Sequence, residues 1–139
     1  MISFDAVNVD LPSLPWESVK AWLVQVASAH GKTISKLSYL FCDDEEILRV
    51  NRRFLGHDYF TDIITFDYSH GGRVGGDMVI SLDTVASNAD SLGESYQREL
   101  LRVIVHGLLH LCGIDDKGPG EREIMESEED KALLLWQTE

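Results

Sequence analysis

The chain has 139 residues, of which 44% are hydrophobic, and this length and composition are typical of one compact domain. Its formal net charge is −12, which is unfavourable for the non-specific binding of nucleic acid. No apolar run reaches the roughly 18 residues needed to span a bilayer and the first residues lack the pattern of a signal peptide, so we expect a cytoplasmic protein with no membrane partner.

The first half of the chain predicts alternating strands and helices. Apolar residues alternate with polar ones or form short runs in the strands, and they recur with helical spacing in the helices. In chain order the pattern predicts a strand over 2–9, a helix over 16–30, a strand over 37–42, a helix capped at 43–44 and running to 54, and a strand over 61–68.

The second half predicts one more strand followed by three helices. The strand covers 75–82, and its short connection to the preceding strand makes the two antiparallel neighbours. The helices cover 83–92, 95–112 and 119–135, the last with Pro119 in its first turn. Its acidic residues are interpreted as a solvated helix face; they are Glu121, Glu123, Glu126, Glu128, Glu129 and Asp130.

This order of elements predicts the fold class. It is α/β, of the α+β type, with one domain over 1–139 in which a mixed four-stranded sheet packs against about five helices. The helix over 95–112 is polar at its start and apolar toward its end, so we expect it to form part of the core, with its C-terminal end open at a cleft.

Two histidines in this central helix carry the strongest functional signal. His106 and His110 are four residues apart and therefore share one helix face, so both can reach one metal ion. Gly113 suits the end of the helix, after which the chain can return Asp116 as a third ligand. Three protein ligands with one open position are typical of a catalytic zinc site. The alternative is a pair of buried, hydrogen-bonded core histidines.

The spacing also resembles that of metalloproteases with an extended H-E-x-x-H motif, but one residue argues against that activity. Those enzymes use a glutamate directly after the first histidine as the general base. Here that residue is Gly107, which cannot move a proton. A protease of this type is therefore disfavoured.

The same stretch resembles the YbeY family of metal-dependent endoribonucleases, whose motif is H-G-x-L-H-L-x-G-x-D-H. The matching positions are His106, Gly107, Leu109, His110, Leu111, Gly113 and Asp115. Other family landmarks correspond to Asn51, Phe54, Gly56, Asp58, Thr61, Asp62, Phe66, Gly76, Asp77, Ile80 and Ser81, with Met125 and Glu128 or Glu129 near the C-terminal end. The resemblance covers about residues 35 to 135.

The resemblance implies a single-strand-specific endoribonuclease that acts in 16S ribosomal RNA 3′-end maturation and late ribosome quality control. Its partners would be ribosomal RNA and the small ribosomal subunit. His106 and His110 would act through one Zn²⁺ per chain that they hold together with Asp116, and iron, nickel or manganese remain alternatives. Most members have a histidine as the third ligand, so the carboxylate lowers the charge of the site and should weaken its Lewis acidity.

A second departure concerns the contact with RNA. The family carries an arginine, thought to hold the substrate phosphate, where this chain has Leu55. Arg52, Arg53 or His57 are candidates to replace it. Thr61 and Asp62 are expected at the edge of the cleft, and no residue stands out as a general base.

Two other functions remain open at this point. One is a zinc hydrolase that acts on another class of substrate. The other is a ribosome-assembly factor with little catalysis, whose acidic surface would bind a basic ribosomal protein through charge complementarity.

Overall fold

The structure is a computed structural model that describes residues 1–57 and 61–136. Asp58, one of the family landmarks, lies outside the described residues. The elements are β1 (Ile2–Ala6), α1 (Trp16–Ala29), β2 (Thr33–Cys42), α2 (Asp44–Val50), a π-helical segment (Asn51–Leu55), β3 (Ile63–Asp67), β4 (Arg73–Ser81), α3 (Leu82–Leu92), α4 (Tyr96–Leu111) and α5 (Glu121–Trp136).

The four strands form one sheet in the order β1-β2-β4-β3. β2 pairs in parallel with both β1 and β4, so that Leu37 lies between Ile2 and Gly76, whereas β3 pairs antiparallel with β4. The predicted fold class, a mixed four-stranded sheet with five helices, is therefore confirmed for the described part of the chain.

Helix α4 lies at the centre of the main core. Ten of its 16 residues are buried, so protein surrounds it on nearly all sides, as the apolar run predicted. The Tyr39 hydroxyl of β2 donates to the carbonyl of Ile104 over 2.9 Å, which ties the sheet to this helix. The Trp22 indole donates to the carbonyl of Ala132 over 2.7 Å and joins α1 to α5. These contacts fix the two helices that carry the candidate site.

A smaller apolar cluster covers the opposite face of the sheet. It contains Ile47 and Val50 of α2 packed against Ile64 and Val79 of the sheet. Asp43 caps α2 by accepting from the backbone N–H of Glu46 over 2.9 Å, as its position at the start of the helix predicted.

The structure corrects some of the predicted boundaries. β2 begins at Thr33 instead of 37, because backbone pairing with β4 extends the strand beyond its apolar part. α5 begins at Glu121, so the prediction that Pro119 lies in its first turn was wrong. Gly120 has φ +78°, a left-handed conformation that cannot belong to a right-handed helix. Within the described ranges, no helix combines the length and the apolar composition needed to cross a membrane.

Gly76 is required for the close packing of α4 against the sheet. A Cβ atom at this position would lie 2.6 Å from the Phe66 carbonyl oxygen and 3.1 Å from both terminal methyl groups of Leu111. We therefore expect Gly76→Ala to lower the free energy of unfolding by about 1–3 kcal/mol, measured by urea denaturation. Gly72→Ala is the matched control, because no described atom lies within 4 Å of its added Cβ. Equal effects of the two substitutions would contradict this account.

Candidate metal centre and its cavity

The imidazole of His106 lies between two carboxylates that come from different parts of the chain. Its Nδ1 atom is 2.7 Å from Oε2 of Glu129 in α5. Its Nε2 atom is 3.3 Å from Oδ2 of Asp116, in the segment that follows α4. The side chain is 23% exposed, so one edge of the ring remains accessible from solvent.

Glu129 is buried, and a second contact holds its carboxylate in place. Only 5% of the residue is exposed. Its Oε1 atom accepts from Arg102 over 2.8 Å, and Arg102 also donates to Asp130 over 2.9 Å. The chain Arg102–Glu129–His106 therefore fixes the orientation of the imidazole from behind.

The burial of Glu129 corrects the interpretation of all the acidic residues of α5 as a solvated face. Glu129 shares the buried face of the helix with Met125, Ala132 and Leu133, and this face packs against the main core. The spacing of these apolar residues was the available signal, because a position four residues after Met125 lies on the same helix face. The family resemblance had pointed to Glu128 or Glu129, and of the two it is Glu129 that this spacing places on the buried face.

The surroundings of His106 raise its pKa. Burial by itself would lower the pKa of the imidazole, but the hydrogen bond to Glu129 and the charges of Glu129, Asp116 and Asp62 outweigh this effect. In the tautomer in which the Nδ1–H of His106 donates a hydrogen bond to Glu129, the Nε2 atom faces Asp116 and is suited to bind a cation.

His106 opens into a cavity of about 720 Å³ between α3, α4 and α5. The described part of the cavity wall contains the guanidinium groups of Arg102 and Arg122, but carboxylates outnumber them, so the wall is strongly acidic. The carboxylates of the wall are those of Asp62, Glu94, Glu99, Asp116, Glu126, Glu129 and Asp130. Glu99 is a buried residue of α4 that the sequence analysis did not single out.

The three predicted metal ligands are only partly brought together. His106 and Asp116 are adjacent, whereas His110 is half-buried one helical turn further along α4 and is outside the described wall of the cavity. Among residues 1–57 and 61–136, no group of three or more His, Cys, Asp or Glu side chains is arranged to hold a metal ion. The complete ligand set therefore stays a prediction.

Two features of His106 and Asp116 are compatible with the predicted zinc ion. Ligand atoms about 2.0–2.1 Å from a tetrahedral zinc ion lie about 3.3–3.4 Å from each other. The separation of 3.3 Å between His106 Nε2 and Asp116 Oδ2 has this value. In addition, a histidine that binds a metal commonly donates its other ring N–H to a carboxylate, as His106 does to Glu129.

The predicted RNA contacts fall in two places. Asp62 lines the cavity of His106, and the Thr61 hydroxyl next to it donates to the carbonyl of Ile63 over 3.4 Å. Arg52 and Arg53 instead line a separate hollow of about 610 Å³ beside α2. The exposed His57 follows the π-helical segment, and its backbone N–H donates to the carbonyl of Asn51.

Comparisons with known proteins agree over nearly the whole chain. The family model for Endoribonuclease YbeY matches residues 7–137. A protein named Endoribonuclease YbeY from Phocaeicola vulgatus is 56% identical over 135 residues, which cover 97% of this chain and 98% of that protein. A protein of the same name from Flavobacterium psychrophilum is 39% identical and covers 98% of this chain and 96% of its own length.

The fold also matches a solved structure. The solution structure of a Thermotoga maritima protein superposes with a TM-score of 0.69 at 24% identity, and the match covers 98% of this chain and 89% of that one. At this identity the likeness supports the fold alone.

Proposed function

The chain belongs to the YbeY family of endoribonucleases, and on this premise we propose that it is a metal-dependent enzyme that cleaves single-stranded RNA. The observation that carries the proposal is the position of His106. Its imidazole is held by a hydrogen bond to the buried Glu129. Its Nε2 atom lies at the wall of a cavity, 3.3 Å from Oδ2 of Asp116, which is the separation expected between two ligand atoms of one zinc ion.

His106, Asp116 and His110 are the residues that would hold the metal ion. Nitrogen and carboxylate ligands favour zinc, and the set of two histidines and one carboxylate is also used for iron. A bound ion would supply a Lewis acid that polarises the phosphoryl oxygen and lowers the pKa of water.

The residues around the ligands hold them in place. Glu129 would accept a hydrogen bond from the Nδ1–H of His106, which fixes the ring and increases the electron density on Nε2. Arg102 bonds to the other oxygen of Glu129, so the carboxylate cannot rotate away without breaking a second charge-assisted hydrogen bond. The cavity is large enough to admit part of an RNA strand.

Contacts with the RNA backbone would lie partly outside this acidic cavity. The carboxylates of the cavity repel a phosphodiester, so the RNA backbone would be bound by arginines elsewhere on the surface and by the metal ion. Arg52 and Arg53 are exposed and are the candidates for this contact in place of the family arginine that Leu55 replaces.

The substrate we propose is the 3′ end of 16S ribosomal RNA in the small ribosomal subunit. The family resemblance supports this choice. Because ribosomal RNA is processed in the bacterial cytoplasm, the enzyme would act there.

Chelation tests the proposal directly. Protein purified without added metal and then loaded with one equivalent of zinc should cleave a single-stranded RNA oligonucleotide, and a chelator should abolish the cleavage. The same RNA annealed to its complement should be cut far more slowly. Peptide and ester substrates are the controls. If the zinc-loaded protein cleaves one of these substrates but leaves the RNA uncleaved, the proposal is overturned.

A further inference from the structure

Glu99 is a buried carboxylate in the cavity wall that the contacts around His106 do not use. It lies seven residues before His106 in α4, so the two side chains share a helix face and lie about 10 Å apart along the helix axis. Only 5% of the residue is exposed. Its Oε1 atom has no hydrogen-bond partner among the described residues. A buried carboxyl oxygen without a hydrogen-bond partner is costly unless a ligand compensates it.

The two arginines of the cavity are engaged with other carboxylates. Arg102 donates to Glu129 and Asp130, and Arg122 donates to Glu126 over 3.2 Å. Asp62 lines the same cavity as Glu99, and its charge is one of those that act on the Glu99 carboxyl group. Burial and these acidic neighbours raise the pKa of Glu99 against the opposing charge of Arg102.

We propose that Glu99, together with Asp62, binds a hard divalent cation such as Mg²⁺ or Mn²⁺ at a second site in the cavity. Both residues offer carboxylate oxygens, which these ions prefer, and neither offers the nitrogen or sulfur that zinc prefers. Magnesium is usually bound by one or two carboxylates and several waters.

The charge of the cavity favours the same occupant. Its described wall carries seven carboxylates against two guanidinium groups, so cations are attracted to it. A divalent ion at Glu99 would give the phosphates of an RNA strand a positive contact inside an otherwise repellent cavity. This last role rests on the proposed function, whereas the cation site itself does not.

The experiment measures binding of Mn²⁺ to the full-length protein by loss of the electron paramagnetic resonance signal of the free ion. It is repeated in the His106→Ala background, in which the candidate zinc site is disabled. We expect one Mn²⁺ per chain in the wild type already loaded with one equivalent of zinc and in His106→Ala, with affinities within about threefold of each other, and competition by Mg²⁺.

Charge-matched variants then locate the ion. Glu99→Gln should weaken Mn²⁺ binding at least about tenfold, because it removes a ligand charge. Asp62→Asn is the second variant and should also weaken it. Glu126→Gln removes a charge from the same cavity, at a side chain that is 58% exposed and paired with Arg122, and should change the affinity less than about threefold.

Three results would overturn the site. They are no Mn²⁺ binding, equal weakening by Glu99→Gln and Glu126→Gln, and loss of binding in His106→Ala. The second would mean diffuse attraction of cations, and the third would place Mn²⁺ at His106. Because RNA cleavage is not the readout, a protein that binds Mn²⁺ through Glu99 but leaves RNA intact would overturn only the proposed function.

Discussion

Replacement of His106 by alanine is expected to lower the rate of single-stranded RNA cleavage about 1,000-fold or more. The substitution removes the ligand that Glu129 orients and that faces Asp116 at 3.3 Å. Loss of a bound metal ion removes several kcal/mol of stabilisation of the transition state, and each 1.36 kcal/mol corresponds to a tenfold change in rate. Initial rates on a labelled oligonucleotide measure the loss of cleavage. The zinc content of the same samples measures the loss of the metal ion.

His30 provides the matched control for this substitution. Its Nε2 atom lies 3.6 Å from a carboxylate oxygen of Glu128, and its side chain is 24% exposed, close to the 23% of His106. His30→Ala should leave both the zinc content and the cleavage rate within about twofold of the wild type, since His30 is not in the described wall of the cavity that holds His106 and Asp116. Similar rates for the two alanine variants would exclude metal catalysis at His106.

The fold could be predicted from the sequence largely because its hydrophobic pattern is unambiguous. The helix around His106 is long and largely apolar, and the strand predicted over 61–68 is short and rich in β-branched and aromatic residues, as β3 over Ile63–Asp67 confirms. The pattern could not show where polar residues continue an element through backbone pairing, which is why the polar start of β2 at Thr33 was missed. It also could not show that the end of the second helix, over Asn51–Leu55, has π-helical hydrogen bonding.

The candidate site was predictable only where its residues are close in sequence. His106 and Asp116 lie within one motif, and the structure brings them together. Glu129 and Glu99 reach the same cavity because α5 and the start of α4 line its wall. Local spacing can place Glu129 on the buried face of α5, but it cannot show that this face meets His106 of another helix.

Glu129→Gln is the second substitution with a large expected effect, and it tests positioning instead of direct metal binding. The amide has one acceptor oxygen and carries no charge, so it cannot serve both Arg102 and His106 as the carboxylate does. We expect the affinity for zinc to fall about 10–100-fold, the usual effect of losing the carboxylate behind a histidine ligand. Competition with a chromogenic chelator measures it.

The neighbouring residue separates this effect from a general loss of charge on α5. Glu128 accepts from Lys131 over 3.0 Å and has no contact with His106 among the described interactions. Glu128→Gln should therefore leave zinc affinity within about twofold of the wild type. Saturating zinc should restore much of the cleavage by Glu129→Gln, since the ligands themselves are intact, but none of the cleavage lost in His106→Ala. If zinc affinity is unchanged in Glu129→Gln while the free energy of unfolding falls, the contact between Glu129 and His106 stabilises the packing of α5 on α4 and has no role at the metal.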